Sequence, residues 1–208
     1  MAYNPIDVTA GKGDTTLGPI WWKPGALEED IDFSFDPTSA ESIAAGWVKL
    51  GEGHTDGIDS AQEADGTDKM VWGAKNLGTT YTNFKDTLTA RLASATDNDA
   101  LKAVFGVNSI EALSGSVSGI RLNVRNRQPE TGSWLFMMKT DDGRRWWVVI
   151  SNGQADINIT RSMGDEDIVV METVVNCLQS PGSDVTHYEL IEKPESETEE
   201  DPEEVPEG

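Results

Sequence analysis

The sequence contains few of the residues on which most enzymes and metal proteins depend. Two histidines and one cysteine occur among its 208 residues. Cys177 has no partner for an internal disulfide, and its place in the apolar run 168–178 predicts a buried thiol rather than a reactive one. No nucleophile elbow, phosphate loop, dinucleotide fingerprint or zinc-type Cys and His cluster is present. We therefore expect no enzyme activity, no cofactor and no metal.

Basic residues are also scarce. The chain carries 16 Lys and Arg against 37 Asp and Glu, a formal net charge of −21. Residues 192–208 alone hold nine acidic residues and one Lys. Because proteins gain affinity for phosphates mainly through Lys and Arg, such a surface should repel nucleic acid. We expect no specific DNA binding.

Long apolar runs are missing as well. No stretch approaches the roughly 18 apolar residues of a membrane helix, and Met1 is not followed by a basic and then apolar signal segment. We expect a protein made in the cytoplasm that does not enter a membrane. Composition predicts three parts: residues 1–45 form an N-terminal arm with a short helix, residues 46–191 a β-rich domain, and residues 192–208 a disordered acidic tail.

The N-terminal arm has no sustained periodicity over residues 1–19, which predicts either an extended arm that orders on a partner or a mobile terminus. The next apolar segment, Pro19–Gly25, is bounded by prolines. Because proline cannot donate a ladder hydrogen bond, we expect an edge strand or a packed arm there rather than a central strand. Thr38 and Glu41 have capping-box spacing, which predicts a short helix ending near Ala45.

The middle of the chain shows β periodicity interrupted by one helix. A strand is expected near residues 46–50, and a second over residues 85–93, where apolar and polar residues alternate. The apolar face comprises Leu88, Ala90 and Leu92, and the polar face comprises Lys85, Thr87, Thr89 and Arg91. Asp97 is positioned to cap a helix over Asn98–Phe105 that ends at Gly106.

The later part of the chain predicts closely spaced strands. Two strand-like runs, 134–140 and 144–150, flank Asp142-Gly143, which favours a hairpin with a type I′ turn. A second turn is expected at Asn152-Gly153, then strands over residues 168–178 and 186–191. The fold class predicted is mainly β, a β-sandwich or partly closed barrel with a flanking short helix.

Two groups of residues suggest binding sites. Asp56, Asp59, Asp65 and Asp68 could supply oxygen ligands to a calcium ion, but their spacing does not fit an EF-hand, and Asp-Gly pairs favour ordinary turns. The doublets Trp21-Trp22 and Trp146-Trp147 could suggest a sugar platform. Adjacent strand residues point to opposite faces, so we expect one ring of each doublet inside and the other exposed or against a neighbouring subunit.

Several segments, taken in order along residues 18–191, resemble the major tail tube proteins of long non-contractile bacteriophage tails of the actinobacteriophage type. The similar segments are Gly18–Ala26, Gly46–Gly51 with Thr55–Ile58, Trp72-Gly73, Lys85–Ala93, Ala100–Gly106 and Trp146–Gln154. The acidic extension lies outside the resemblance.

The resemblance implies a structural subunit of the virion tail that forms stacked rings of six copies, through whose lumen genomic DNA passes. A hairpin using residues around Met70–Leu77 and Lys85–Ala93 would line that lumen, with Lys85, Thr87, Thr89 and Arg91 as candidate lumen or ring-interface residues. The N-terminal arm, with Trp21 and Trp22, would dock on an adjacent ring. Partners would be further copies of the chain and the tape measure, tail terminator and tail tip proteins.

Two other classes of function remain open. A monomeric β-sandwich that binds carbohydrate or acts as an adhesin would have the same composition and strand pattern. A β-rich hydrolase would need a catalytic constellation that the sequence does not display.

Overall fold

The computed structural model describes most of the chain between Lys12 and Lys193. The described ranges are 12–71, 75–93, 96–114, 119–125, 128–162, 169–180 and 182–193. Expectations for residues 1–11 of the arm, and for most of the acidic tail, fall outside the described residues.

The described chain is mainly β with two α-helices, as the sequence predicts. The strands are β1 (Lys12–Gly13), β2 (Ile20–Pro24), β3 (Val48–Lys49), β4 (Gly53–Val71), β5 (Lys75–Leu92), β6 (Ile110–Leu113), β7 (Gly119–Leu122), β8 (Gly132–Lys139), β9 (Arg145–Ala155), β10 (Thr160–Ser162), β11 (Val170–Cys177) and β12 (Tyr188–Ile191). The helices are α1 (Ala40–Ala44) and α2 (Asn98–Phe105), and a 3₁₀ turn covers Val107–Ser109.

Most strands belong to one antiparallel sheet with the order β3-β2-β8-β9-β11-β5-β4. In a flat sheet, strands six places apart would lie about 29 Å from each other. Yet β3 ends at Lys49 and β4 begins at Gly53, and four residue steps span at most about 14 Å. The sheet must therefore curl until its two ends approach, which gives the partly closed barrel.

The sheet has a buried cluster on each face. The inner cluster joins residues from both ends of the strand order, such as Trp22 and Leu92, to the buried side of α2. The outer cluster contains Trp21, Trp47 and Trp147, and it is covered by Phe33 and Phe35 from the segment that precedes α1. Both faces of the central strands are thus removed from water, which explains their near-continuous apolar runs.

The two predicted helices are present. Helix α2 has the bounds that the sequence predicts, and Asp97 Oδ1 accepts hydrogen bonds from the amides of Asp99 and Ala100, both at 2.9 Å. For α1 the capping residue is Ser39 rather than Thr38: Ser39 Oγ accepts from the Ser42 amide at 3.1 Å. The Thr38 hydroxyl instead donates to Asp36 at 2.6 Å, in the turn before the helix.

The predicted hairpin is formed by β8 and β9, but two details of its turns differ from the prediction. Its turn has a positive φ at Gly143 alone, so it is not type I′, which requires two such residues. No turn occurs at Asn152-Gly153, because β9 continues through both residues to Ala155. Position 153 requires glycine because any side chain would collide with Trp134 and Val175.

The expectation for Pro19–Gly25 is also corrected. Strand β2 lies between β3 and β8 and pairs with both, so it is not an edge strand at Trp21 and Trp22. The prolines do not prevent this arrangement, because Pro19 precedes the strand and Pro24 is its last residue. Proline is tolerated at such strand ends, where its missing donor interrupts little of the ladder.

Candidate functional site

The most extended feature of the described chain is a two-stranded ribbon, defined here as residues 62–71 of β4 and 75–86 of β5. Strand β5 pairs with β11 only over residues 87–92, whereas β4 pairs with β5 along nearly its whole length. From Gln62 paired with Asp86 outward, the two strands have only each other as sheet neighbours among the described residues. At about 3.3 Å per residue, the ribbon extends roughly 30 Å from the barrel.

The ribbon buries little apolar surface of its own. Every described side chain from Gln62 to Lys69, and from Gly78 to Lys85, is exposed. Polar cross-strand contacts hold it: Thr79 Oγ1 donates to Asp68 Oδ1 at 2.6 Å, and Asn83 Nδ2 donates to Asp65 Oδ2 at 2.8 Å. A two-stranded ribbon in water is marginally stable unless it packs against something else.

Two large hydrophobic side chains lie on the ribbon's surface. Phe84 is 78% exposed and Tyr81 is 58% exposed. Phe84 stands beside a register shift between the Glu63–Lys85 and Asp65–Thr82 pairs, where Asn83 adopts a φ of +53°. Such an irregularity re-aims side chains and increases local twist, so the orientation of Phe84 differs from that expected in a regular strand.

The structure corrects the pairing expected for this hairpin. Residues 70–71 and 75–77 of the expected segment Met70–Leu77 lie at the far end of the ribbon, and residues 72–74 fall outside the described residues. Within the hairpin, the partner of Lys85–Leu92 is the first half of β4. The Asp56-Gly57 and Asp65-Gly66 pairs, expected as turns, both lie within β4. The strand contains a register shift at or beside each Asp-Gly pair, and Gly57 adopts a φ of +72° within the first of these shifts.

The four candidate lumen residues lie on the polar face of β5. Lys85 is exposed at the base of the ribbon, whereas Thr87, Thr89 and Arg91 lie in the part of β5 that also pairs with β11. Arg91 donates to Asp59 and to Glu172, each at 2.9 Å, and these hydrogen bonds raise its pKa. The positive charge of Arg91 is therefore balanced by two carboxylates.

The aspartates considered for calcium are not gathered in one loop. Asp59 binds Arg91, Asp65 accepts from Asn83, and Asp68 accepts from Thr79, at successive points along β4. The side chain of Asp56 lies outside the described residues. The described aspartates thus form separate cross-strand contacts rather than one shared oxygen cage.

Both candidate arm tryptophans are buried within the single chain, contrary to the expectation that one would face outward. Trp21 is 6% exposed and packs in the outer cluster, and Trp22 is 3% exposed and packs in the inner one. The opposite orientation of adjacent strand residues is as expected, but both faces of this sheet are covered. Neither tryptophan side chain is exposed for contact with another copy of the chain.

One cluster that the sequence analysis missed could hold a metal ion. Ligand atoms of Asp86, Cys177 and His187 all lie within 4.8 Å of one another. Asp86 Oδ2 lies 2.5 Å from His187 Nδ1, and it also accepts from Thr186 Oγ1 at 2.5 Å. Cys177 is buried, as its apolar surroundings in the sequence predict, and burial, together with the nearby Asp86 carboxylate, raises the pKa of its thiol to about 12.

The alternation of inward and outward residues along β5 and β11 already placed two members of this cluster inside the fold. Asp86 lies in phase with the inward residues Leu88, Ala90 and Leu92, and Cys177 lies in phase with the inward Val175. His187 directly precedes β12. A carboxylate at an inward position is unusual enough to mark a site, but the third member comes from a separate segment whose position only the fold reveals.

Comparison of the chain with protein-family models and with curated proteins gives no match. Among the described residues, no helix is both long and apolar enough to cross a membrane.

Proposed function

We propose that this protein is the structural subunit of a bacteriophage tail tube, assembling as stacked rings of six copies around a channel for genomic DNA. The observation that supports this proposal is the ribbon, whose two strand edges have no sheet neighbour among the described residues. Open strand edges pair readily with another chain unless something covers them. In a closed ring, each ribbon covers the edge of the next.

Ring closure also accounts for the composition of the ribbon. Apart from Phe84 and Tyr81, most of its described side chains are polar, which suits a wall that faces an aqueous channel on one side. Phe84 and Tyr81 provide apolar surface for contact with a neighbouring subunit. Aromatic residues are enriched in the cores of such interfaces, so these two side chains are the natural anchors between copies.

The charge of the chain suits a channel through which DNA moves. A net charge of −21 gives a surface that repels phosphates, and Arg91 is balanced by Asp59 and Glu172. DNA would therefore pass without being held by lysine or arginine contacts. The assembled tube would join the tape measure, tail terminator and tail tip proteins in the virion.

Negative-stain electron microscopy of concentrated protein tests the proposal. We expect rings or tubes with a central channel from the full chain. A variant in which Asn-Gly replaces residues 64–84 joins the paired residues Glu63 and Lys85 by a two-residue turn, and it should remain a folded monomer. A double variant of exposed residues outside the ribbon, Val124→Ser with Ile157→Ser, should assemble normally.

Two outcomes would contradict the proposal. Normal tubes from the shortened variant would show that the ribbon is dispensable. A full-length chain that stays monomeric at every concentration, and that binds glycans, would instead favour the monomeric carbohydrate-binding or adhesin-like module. Sedimentation velocity over a range of protein concentrations distinguishes the two classes directly.

A further inference from the structure

The base of the ribbon contains a buried group of side chains that the proposed function does not use. Asp86 is contributed by β5, Cys177 by the end of β11 and His187 by the segment that enters β12. The side chains of Asp86 and His187 are 9% and 13% exposed, and the whole Cys177 residue is 7% exposed. Three separate segments of the chain thus place three metal-ligating groups in one enclosed position.

The Asp86 carboxylate is incompletely satisfied where it lies. Its Oδ2 atom has two contacts, from Thr186 Oγ1 and His187 Nδ1, while its Oδ1 atom is buried without a hydrogen-bond partner among the described residues. Buried polar atoms normally have a hydrogen-bond partner, so a buried carboxylate oxygen without one indicates that the site binds a ligand from outside the protein. A bound cation would be such a ligand.

We propose that Asp86, Cys177 and His187 form a binding site for one zinc-like divalent transition metal ion. A thiolate, an imidazole and a carboxylate together match the ligand preferences of zinc and of cobalt(II), and not those of calcium or magnesium. A fourth position would be left for water. The site is enclosed at the base of the ribbon, so metal binding can be measured on the chain whether or not rings form.

The distances permit such a site after a small adjustment. Ligand atoms around a tetrahedral zinc ion lie about 3.3 to 3.8 Å apart, and the atoms here lie within 4.8 Å of one another. Coordination through Asp86 Oδ1 leaves Oδ2 with its Thr186 contact, which would then orient the carboxylate. On binding, the ion displaces the proton of the Cys177 thiol, which is released to solvent.

Such an ion would fasten the base of the ribbon to the barrel. Without it, β11 pairs with β5 as far as Asn176 and Thr87, and the segment that enters β12 contacts Asp86 through Thr186 and His187. With it, β5, β11 and β12 share one centre. Metal binding to the folded state alone raises thermal stability by mass action.

Titration of the purified full-length protein with cobalt(II), in a phosphine-reduced buffer, tests the proposal. We expect one ion per chain, the thiolate-to-cobalt charge-transfer absorption, and its displacement by zinc. Zinc should also raise the melting temperature. Cys177→Ser should lose the charge-transfer band, and His187→Gln and Asp86→Asn should lose tight binding. The matched controls are His54→Gln, which removes the other histidine, and Asp184→Asn, which removes an exposed carboxylate three residues before His187 in the sequence.

The wild-type spectrum decides the matter even if a variant fails to fold. Cobalt bound without a thiolate band would be held by the acidic surface, and the proposal would be wrong. Absence of any binding would show that Asp86 and His187 form a simple hydrogen-bonded pair, which also overturns it. Neither result bears on ring assembly, which is scored separately by microscopy.

Discussion

Arg145 and Glu192 form a three-point contact that joins the start of β9 to the residue that directly follows β12. Arg145 Nη2 and Nε donate to Glu192 Oε1 at 2.8 and 3.2 Å, and the Arg145 amide donates to Glu192 Oε2 at 2.9 Å. Arg145 also lies over the Phe33 ring, 4.5 Å from its centroid. Glu192 therefore belongs structurally to the barrel, although composition alone groups it with the acidic tail.

Glu192→Gln should lower the free energy of unfolding at neutral pH by less than about 1 kcal/mol, because both side chains are roughly one-third exposed and solvent screens the pair. The hydrogen bonds from Arg145 hold the pKa of Glu192 below its usual value. The stabilisation should thus be complete above the ordinary glutamate pKa and disappear as pH falls through the lowered one.

Urea unfolding of wild type and Glu192→Gln across acidic pH measures this difference. Glu189→Gln, on the exposed side of the adjacent strand β12, is the control, because the Glu189 carboxylate accepts from neutral Trp146 rather than from an arginine. If the difference in unfolding free energy between wild type and Glu192→Gln grew as pH falls, the Arg145–Glu192 contact would not be its source.

Asp14→Asn should destabilise the chain by about 1–3 kcal/mol, because a buried acceptor loses its charge-assisted contacts. The Asp14 side chain is 3% exposed, and it accepts from the amides of Thr16 and Leu17 and pairs with Lys139 at 3.2 Å. Burial alone would raise the Asp14 pKa, but these contacts outweigh it and lower the pKa. Its contribution is therefore lost as pH falls through that lowered pKa.

Chemical denaturation at neutral and acidic pH checks the Asp14 prediction. Asp32→Asn serves as the control, since Asp32 makes similar bonds to Ser34 in an exposed turn. Equal losses from both substitutions would show that the burial of Asp14 is unimportant.

Gly153→Ala should lower the free energy of unfolding by about 1–3 kcal/mol through overpacking. An added Cβ would lie 2.8 Å from both Trp134 Cδ1 and Val175 Cγ1, closer than side-chain atoms can approach. Gly119→Ala is the matched control, because the nearest atom to its Cβ would be 4.0 Å away. Similar midpoints for the two variants in guanidinium unfolding would refute the close packing at Gly153.

Phe84→Ser should leave the monomer's stability unchanged and weaken assembly, if the proposed ring contact is correct. Phe84 is 78% exposed in the single chain, whereas burying it against a neighbour would contribute about 1.5–3 kcal/mol. That corresponds to a tenfold or greater loss in association. Light scattering during assembly measures it, with Val124→Ser, 70% exposed, as the control. Unchanged assembly would remove Phe84 from the interface.

Local patterns predicted the parts of the fold that local forces determine. Helix α2 has a strong cap at Asp97 and one apolar side, so its bounds follow from the sequence. The inward phase of Leu88, Ala90 and Leu92 is likewise confirmed by their burial. For the helix, the cap and the apolar side indicate the same structure, and for the strand the alternation agrees with the burial. Sequence reasoning succeeds where such local signals agree with the whole fold.

The features that were missed depend on distant contacts. The described part of the ribbon has few apolar side chains, so it has no alternation to reveal its length, and the Asp56-Gly57 and Asp65-Gly66 pairs of β4 resemble turns. Trp21 and Trp22 are both buried because a separate segment covers the outer face of the sheet. Asp86, Cys177 and His187 meet only after three strands take their places. The lumen role of Lys85, Thr87, Thr89 and Arg91 stays a prediction.

The position of β2 has a consequence for synthesis. Trp22 pairs with Trp134, which the ribosome adds more than one hundred residues later. At elongation rates of roughly 5–20 residues per second, two adjacent tryptophans wait about 6–20 seconds for their partner strand. Closing so long a loop is also slow. The nascent chain therefore exposes this tryptophan pair for about half of translation, and its need for chaperones should fall abruptly once β8 has emerged.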